Sequence, residues 1–418
     1  MPDPLLDELA WRGLLHDATP GLAARLTTGP VTGYAGFDPT ARSLQIGNLV
    51  VVMLLVHLQR HGHRPVAVVG DGTALIGDPS GRSEERPLLS RAEVQEHAEN
   101  QRQQLSRFLD DTGPKALRVR HNADWLSRMA LIDFLRDVGK HFSVNVMLQK
   151  ESVKARLDSG ISYAEFSYML LQAYDFLHLY RTEQCELQVG GSDQWGNITA
   201  GTDLIRRVAG GEAHGLCAPL ITTAQGAKFG KTASGALWLD PELTTPYQFF
   251  QYWMNVDDRD VPGYLRLFTL LDATAIHELT ERAAVAPAAR EGQRALARDV
   301  TARVHGETAA TRAEQAAGVL FGGFDPHRAQ PGVFTDLARE LPVAEVRENA
   351  SLVDLLVAAG LVGSKGEARR AIAQGGVYLN HQRVEADRHL ATSDWLGEGY
   401  ALLRKGAKHY GLARAIRG

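Results

Sequence analysis

The sequence predicts an α/β architecture: a doubly wound parallel-sheet domain, then a small all-helical domain, then a compact α+β unit at the C-terminus. Three observations predict it. Up to about residue 222, short apolar runs bounded by Gly, Asp or Pro alternate with stretches of helical periodicity. From Thr245 to about Leu320 the strand signal stops, and Ala, Arg and Glu dominate between Pro246, Pro262 and Pro287. Beyond Ser351, a helix-capping signature precedes a hairpin-like segment. At 418 residues the chain is too long for one hydrophobic core, so several domains are expected.

The first strand, Val31–Phe37, ends at Asp38-Pro39-Thr40, where proline stiffens the chain and removes a backbone donor. Gln45-Ile46-Gly47-Asn48 follows, with Asn48 the expected N-cap of an apolar helix over Leu49–His61. A strand, a tight loop and a helix start leave unpaired N–H groups pointing outward, which suits an anion. The same pattern is also that of an ordinary βα turn. Further strands are expected at Pro65–Gly70, Ala116–Arg120, Cys185–Val189 and Leu216–Ile221, with helices over Arg91–Leu109, Leu131–Asp137, Tyr163–Tyr180 and Asn197–Val208. In such a Rossmann-like sheet, ligands gather at the carboxyl ends of the strands, where the Tyr34–Asn48 loop belongs. Proline-punctuated residues 322–350 read as a linker. In the last unit, Ser364 and Glu367 form a capping box for a helix carrying Arg369 and Arg370, and VYLNHQRV turns near Asn380-His381. The expected division is thus 1–222, 223–321, 322–350 and 351–418.

Composition is ordinary for a globular protein, 44% hydrophobic and 22% charged, and no apolar run approaches the ~20 residues that span a membrane. The acidic N-terminus lacks a signal-peptide pattern. Cys185 and Cys217 are far apart and without metal-type spacing. A cytoplasmic protein without structural metal or membrane contact is expected. The net charge of −4 divides unevenly: ten Lys/Arg against five Asp/Glu from Ser364 onward leave +5 in the tail and −9 elsewhere. A basic tail on an acidic body points to a polyanion held at one end.

Four constellations carry chemistry. The Tyr34–Asn48 loop is the first. The second, Leu75 to Arg86, offers Asp78 on a Gly-rich turn, then Arg82 and Arg86, suited to closing over phosphates or to lying on the surface as a solvated loop. On the third, a helix, Tyr168, Gln172 and Asp175 stand at i, i+4 and i+7, so they share one otherwise apolar face. Such a stripe is either a buried polar network or the wall of a small-molecule pocket. The fourth pairs GGSDQWGN (190–197) with AKFGKT (227–232), a strand-end turn and a Gly-flanked lysine loop. His57 and His61 have metal-like i, i+4 spacing but no acidic partner nearby, and read as solvated helix residues.

Taken together, FDPT with QIGN, the Tyr168/Gln172/Asp175 helix, GGSDQWGN and KFGKT resemble the motif set of bacterial tyrosyl-tRNA synthetases, in order and spacing, over nearly the whole chain. QIGN stands at the first signature of class I synthetases and KFGKT at the second, while the tail resembles the small RNA-binding module shared with ribosomal protein S-four. The resemblance implies activation of L-tyrosine by ATP with Mg²⁺, transfer to the 3′ end of tRNA(Tyr), and a homodimer. It assigns Tyr34 and Asp175 to the phenolic hydroxyl, and Asp78, Tyr168 and Gln172 to the α-ammonium. Gly36, Asp38, Thr40, Gln45, Gly47, Asn48, Gly191, Asp193, Gln194, Lys228, Lys231 and Thr232 would meet ATP or the adenylate, and Arg82 and Arg86 the phosphates. Lys365, Arg369, Arg370, Arg404, Lys405 and Lys408 would meet tRNA.

Gln45 departs from the family pattern at the first signature histidine, keeping a hydrogen-bond donor but no charge. Ala35 stands where a ribose-contacting cysteine is common, and Arg82 where lysine is usual. Two alternatives stand beside this reading: a tryptophanyl-type class I synthetase, and a synthetase-like RNA-binding protein that has lost catalysis. The Tyr34–Asp175 pair argues against the first, since an indole has no hydroxyl to place there. Retention of Asp78, Asp175, Lys228 and Lys231 argues against the second.

Overall fold

The computed structural model describes residues 3–80, 89–157, 160–227, 229–232, 235–321, 323–347 and 349–416. The chain forms two compact units, one from Met1–Thr244 with Val256–Leu296, the other from Thr245–Asn255 with Ala297–Gly418.

The first unit is built on a six-stranded sheet. Its strands are β1 (Asp17–Ala18), β2 (Thr32–Phe37), β3 (Arg64–Val69), β4 (Arg118–His121), β5 (Cys185–Gly191) and β6 (His214–Ala218), in spatial order β1-β6-β5-β2-β3-β4. All neighbours are parallel except β1, which runs antiparallel to β6 as a two-residue edge. Five of the six strands fall on the apolar runs of the sequence. A two-residue strand such as β1 carries no periodicity to read. Helices fall between the strands as expected, over Leu49–Arg60, Arg91–Leu105, Leu131–Asp137, Tyr163–Glu183 and Trp195–Ala209.

The helix Leu49–Arg60 corrects the reading of His57. It is apolar all round, with Leu49, Val50 and every residue from Val52 to Leu58 buried, and His57 is 0% exposed. A helix buried on several faces has no solvated stripe on which a histidine could sit. Half-buried His61 lies against the His57 carbonyl, its Nδ1 at 2.9 Å. The start of this helix differs too. Asn48 makes no forward cap. Its Oδ1 instead accepts from the Gln45 N–H at 2.8 Å, closing a 3₁₀ turn over Ile46–Asn48 ahead of the helix. Gln45, with extended φ and ψ of −98° and 161°, is where the chain enters the turn.

In the second unit, the helix Pro246–Met254 buries Phe249, Phe250 and Trp253 and packs on the helix Glu307–Phe321. The region expected as a linker carries a helix, Val333–Leu337, and β9 (Val343–Val346). After a two-stranded ribbon in the first unit, β7 (Lys231–Thr232) and β8 (Gly235–Ala236), the tail forms a five-stranded sheet. Its order is β11-β10-β12-β13-β9, with β10 (Val377–Leu379), β11 (Gln382–Arg383), β12 (Tyr400–Lys405) and β13 (His409–Ala415). β9 pairs parallel with β13, so the residues just before Ser351 belong to the sheet. Val333, Phe334 and Leu337 share a core with Ala316, Val319 and Leu320. The hairpin β10–β11 turns where expected, Asn380 and His381 both taking positive φ of 48° and 68°, as a two-residue type I′ turn requires. Ser364 Oγ accepts from the Glu367 N–H at 3.2 Å, but Glu367 reaches back to the Gly363 N–H rather than to Ser364.

Candidate active site

The carboxyl ends of β2, β3, β4 and β5 and the helix Tyr163–Glu183 bring the predicted residues together. On that helix the polar stripe is inward-facing: Asp175 and Tyr168 are buried and Gln172 half-buried, as the i, i+4, i+7 spacing requires. Both Asp175 oxygens are occupied by donors that the motifs of the sequence do not include. Trp125 Nε1 donates to Oδ1 at 2.7 Å and Asn122 Nδ2 to Oδ2 at 3.0 Å. Trp125 stacks on His178 at 4.3 Å and 16°, which fixes the indole plane. The sole trace of these two in the sequence is a polar-aromatic helix start, HNADWL, directly after a strand.

Burial dominates the electrostatics of Asp175 and pushes its pKa up to about 7, against the pull of the bonds from Asn122 and Trp125. Tyr34, on β2, is 1% exposed and its ring lies 5.2 Å from Phe176. Its hydroxyl has no hydrogen-bond partner among the described residues, and burial, with Asp175 next, holds its pKa well above the usual phenol value. A buried hydroxyl and a buried carboxylate with spare lone pairs make a site that rewards a ligand hydroxyl.

A second polar group surrounds Tyr168. Its hydroxyl donates to Asp38 Oδ2 at 2.8 Å, leaving the phenol oxygen free to accept. Asp38 also receives Thr73 Oγ1 at 2.9 Å, and Gly70 makes room for it: a Cβ there would lie 2.1 Å from Asp38 Oδ1. Asp78 accepts from the Ser80 N–H at 2.9 Å and from Gln194 Nε2 at 2.8 Å. Gln172 Nε2 meets Gln194 Oε1 at 3.4 Å, and Gln172 Oε1 is buried without a partner among the described residues. Asp78, Gln172 and the Tyr168 oxygen are all acceptors, the set an ammonium needs.

The signature loops meet through the backbone. Ile46 N–H donates to Leu237 O at 3.0 Å, Leu239 N–H to Leu44 O at 2.9 Å, and Gln45 bridges Trp238. Gly230 then packs on Ile46, where a Cβ would come within 2.4 Å of Cγ2. The QIGN turn and the lysine loop are therefore neighbours. Lys231 and Thr232 enter as backbone, forming β7, whereas Lys228, Arg82 and Arg86 lie outside the described residues. The loop after Pro39 is stapled from the helix Arg91–Leu105: His97 Nδ1 lies 3.2 Å from Pro39 O, Gln101 Nε2 donates to Ala41 O, and Gln104 Oε1 accepts from the Leu44 N–H at 2.9 Å. Gly36, Gly47, Gln45 and Asp193 are exposed around this floor, while Thr40, Asn48 and Gly191 are half-buried.

In the second unit Arg369, Arg370 and Lys408 face solvent. Arg404 lies over the Tyr378 ring at 3.8 Å. Lys365 and Lys405 are engaged with carboxylates, Asp354 and Glu367, each at 2.6 Å. Among the described residues, no group of three His, Cys, Asp or Glu side chains is placed to hold a metal ion, and no helix is long and apolar enough to cross a membrane.

The chain is similar to known proteins over nearly its whole length. Residues 26–322 match the family of class I tRNA synthetases (W and Y), and residues 334–413 the tyrosine–tRNA ligase SYY-like C-terminal domain. A tyrosine–tRNA ligase of Anaeromyxobacter dehalogenans is 54% identical over 98% of this chain and 99% of its own. One from Roseiflexus castenholzii is 50% identical over 99% of each. A C-terminally truncated mitochondrial tyrosyl-tRNA synthetase of Coccidioides posadasii superposes with a TM-score of 0.65 at 32% identity, covering 74% of this chain and 90% of its own.

Proposed function

The chain belongs to the tyrosine–tRNA ligases within the class I tRNA synthetases, and on that footing we propose how its residues divide the work. The enzyme is an ATP-dependent aminoacyl-tRNA ligase. It converts tyrosine and ATP to tyrosyl-adenylate and pyrophosphate, then passes tyrosine to the 3′ end of its tRNA. Neither the tryptophanyl-type nor the decayed reading is favoured, since full-length identity near 50% runs to tyrosine–tRNA ligases.

The observation that carries the assignment is the occupied Asp175: two fixed donors hold its buried carboxyl, which acts electrostatically on the buried Tyr34 phenol next to a largely apolar core. Tyr34 and Asp175 take the substrate's phenolic hydroxyl. The three acceptors Asp78, Gln172 and Tyr168 take its α-ammonium. That leaves the carboxylate pointing towards the QIGN turn, where ATP lies along Gly36, Asp38, Thr40, Gln45, Gly47 and Asn48. Gly191, Asp193 and Gln194 meet the ribose and adenylate. The tyrosine carboxylate attacks the α-phosphorus in line, and pyrophosphate leaves with the Mg²⁺ that arrives on the nucleotide. No general base is needed. The protein aligns the reactants and places positive charge, from Lys228, Lys231, Arg82 and Arg86, where negative charge develops, with Thr232 offering a neutral hydroxyl beside it.

The assembly we propose is a cytoplasmic homodimer. Exposed apolar side chains at Leu131, Ile132, Leu135, Val144 and Val146, close in sequence, support a protein-covered face there. In the tail, Arg369, Arg370, Lys408 and the Arg404–Tyr378 stack are the groups best placed for tRNA. Lys365 and Lys405 contribute less, being already paired. Tyrosine-dependent ATP–pyrophosphate exchange, followed by charging of tRNA, tests the reading. Exchange that does not depend on tyrosine would overturn it.

A further inference from the structure

The loops that follow β3 and β4 are sewn together by Asp71. Its Oδ1 accepts from the Ala123 N–H at 2.9 Å, and its Oδ2 lies 3.0 Å from His121 Nδ1. The residue between those two attachment points is Asn122. Its Oδ1 accepts from the Gly72 N–H at 2.7 Å, and its Nδ2 donates to Thr73 Oγ1 and to Asp175 Oδ2. Gly72 permits this closeness: a Cβ there would sit 3.0 Å from Asn122 Oδ1 and 3.2 Å from the Ala123 nitrogen. Trp125 follows on the helix Ala123–Leu126, which is four residues long and receives no cap from the Asn122 side chain. One turn of helix does not hold itself in place.

We infer that Asp71 and His121 are a positioning pair for tyrosine recognition, fixing the turn that delivers Asn122 and Trp125 to the two oxygens of Asp175. Neither residue touches substrate, and the inference rests on the assignment of Asp175 to the phenolic hydroxyl. The pair sits at the rim, with side-chain exposures of 12% for Asp71 and 33% for His121, so it fixes the turn without adding to the pocket wall. The bond to Asp71 raises the imidazole's pKa, with Asp124 on the same turn and Glu99 on the helix Arg91–Leu105 adding to it and burial opposing. Protonation of the imidazole would strengthen its hold on Asp71.

The test compares His121→Ala, His121→Asn, Trp125→Phe, Asp175→Asn and the double variant His121→Ala/Trp125→Phe in ATP–pyrophosphate exchange. His121→Ala should raise KM for tyrosine about five- to tenfold and lower the tyrosine-to-phenylalanine preference, as expected for the loss of about one hydrogen bond, leaving kcat and KM for ATP within about twofold. His121→Asn, which keeps a donor for Asp71, should recover most of the loss. The double variant should lose clearly less than the product of the two single losses, because the pair acts partly through that indole and partly through Asn122. Losses that multiply in the double variant, or a matching rise in KM for ATP, would overturn the pairing and leave a general structural role. If Trp125→Phe and Asp175→Asn impair selectivity while His121→Ala does not, the pairing fails and the pocket stands. If Trp125→Phe and Asp175→Asn also leave selectivity intact, the pocket assignment itself fails.

Discussion

Replacing Asp175 by asparagine removes a charge and keeps the shape, and two separable effects follow. The first concerns stability. Burial pushes the carboxyl pKa from 3.8 up to about 7, which corresponds to about 4 kcal/mol favouring the protonated form in the fold. The folded state then holds a proton that the unfolded chain has released between about pH 4 and 7. This group's contribution is therefore fully present below pH 4, and is lost as pH rises through 7. Asparagine does not titrate, so the difference in unfolding free energy, variant minus parent, should climb by up to about 4 kcal/mol from pH 4 to 8. An opposing constant term comes from the donors. Trp125 Nε1 and Asn122 Nδ2 each find a carboxylate oxygen, whereas an amide offers only one oxygen and sets its NH₂ against the other donor. That conflict costs about 1–3 kcal/mol at every pH.

The second effect is on recognition. A charged acceptor for the phenolic hydroxyl is worth about 1.5–3 kcal/mol, so kcat/KM for tyrosine relative to phenylalanine should fall about 10- to 150-fold. Urea denaturation across the pH range reads the first effect, and ATP–pyrophosphate exchange with both amino acids reads the second. A flat difference curve together with an unchanged tyrosine-to-phenylalanine ratio would refute the placement of Asp175 as the buried acceptor.

Other outcomes follow from the same geometry. Gly36→Ala and Gly47→Ala add a methyl that meets no atom of the described residues within 4 Å, at positions without positive φ, so Tm should hold while KM for ATP rises several-fold; unchanged KM would remove ATP from that floor. Lys231→Ala should slow adenylate formation severely and leave tyrosine Kd nearly unchanged, a split that single-turnover kinetics resolves. Gln45→His should leave activation equal or faster, and loss of activity would displace the turn from the γ-phosphate. Neutralising Arg369, Arg370 and Lys408 should spare exchange and flatten the salt dependence of tRNA binding, by roughly 0.7–0.9 in log–log slope for each phosphate these side chains neutralise.

The sheet is legible because four buried strands are short apolar runs between turn residues, with the half-buried β4 beside them, and the polar stripe on Tyr163–Glu183 because helix spacing is regular. The support of that stripe was not legible. Asn122 and Trp125 reach Asp175 from about fifty residues upstream, and His97, Gln101 and Gln104 look like any polar helix face until the loop after Pro39 is laid across them. The cap at Asn48 is not legible because its side chain can serve the turn behind it as well as the helix ahead, and sequence does not say which. His57 departs from its expectation for a related reason: one polar residue suggests a solvated face, but the apolar character of the whole helix around it decides for burial. Residues 322–350 contain breakers, but β9 takes its stability from pairing with β13, a partner about seventy residues later.

The helix Pro246–Met254 has a consequence for how the chain is made. Its three buried aromatics, Phe249, Phe250 and Trp253, are covered by the helix Glu307–Phe321. On a ribosome that covering helix emerges some fifty residues after Met254, a delay of roughly 3–10 seconds at ordinary elongation rates. During that interval a strongly apolar segment is outside the ribosome without its partner. The first unit must also accept Val256–Leu296 after this excursion, so neither unit is finished when the other begins. Slow codons or chaperone capture between residues 255 and 321 would act on that window, and a chain whose synthesis stopped inside it would be released prone to aggregate.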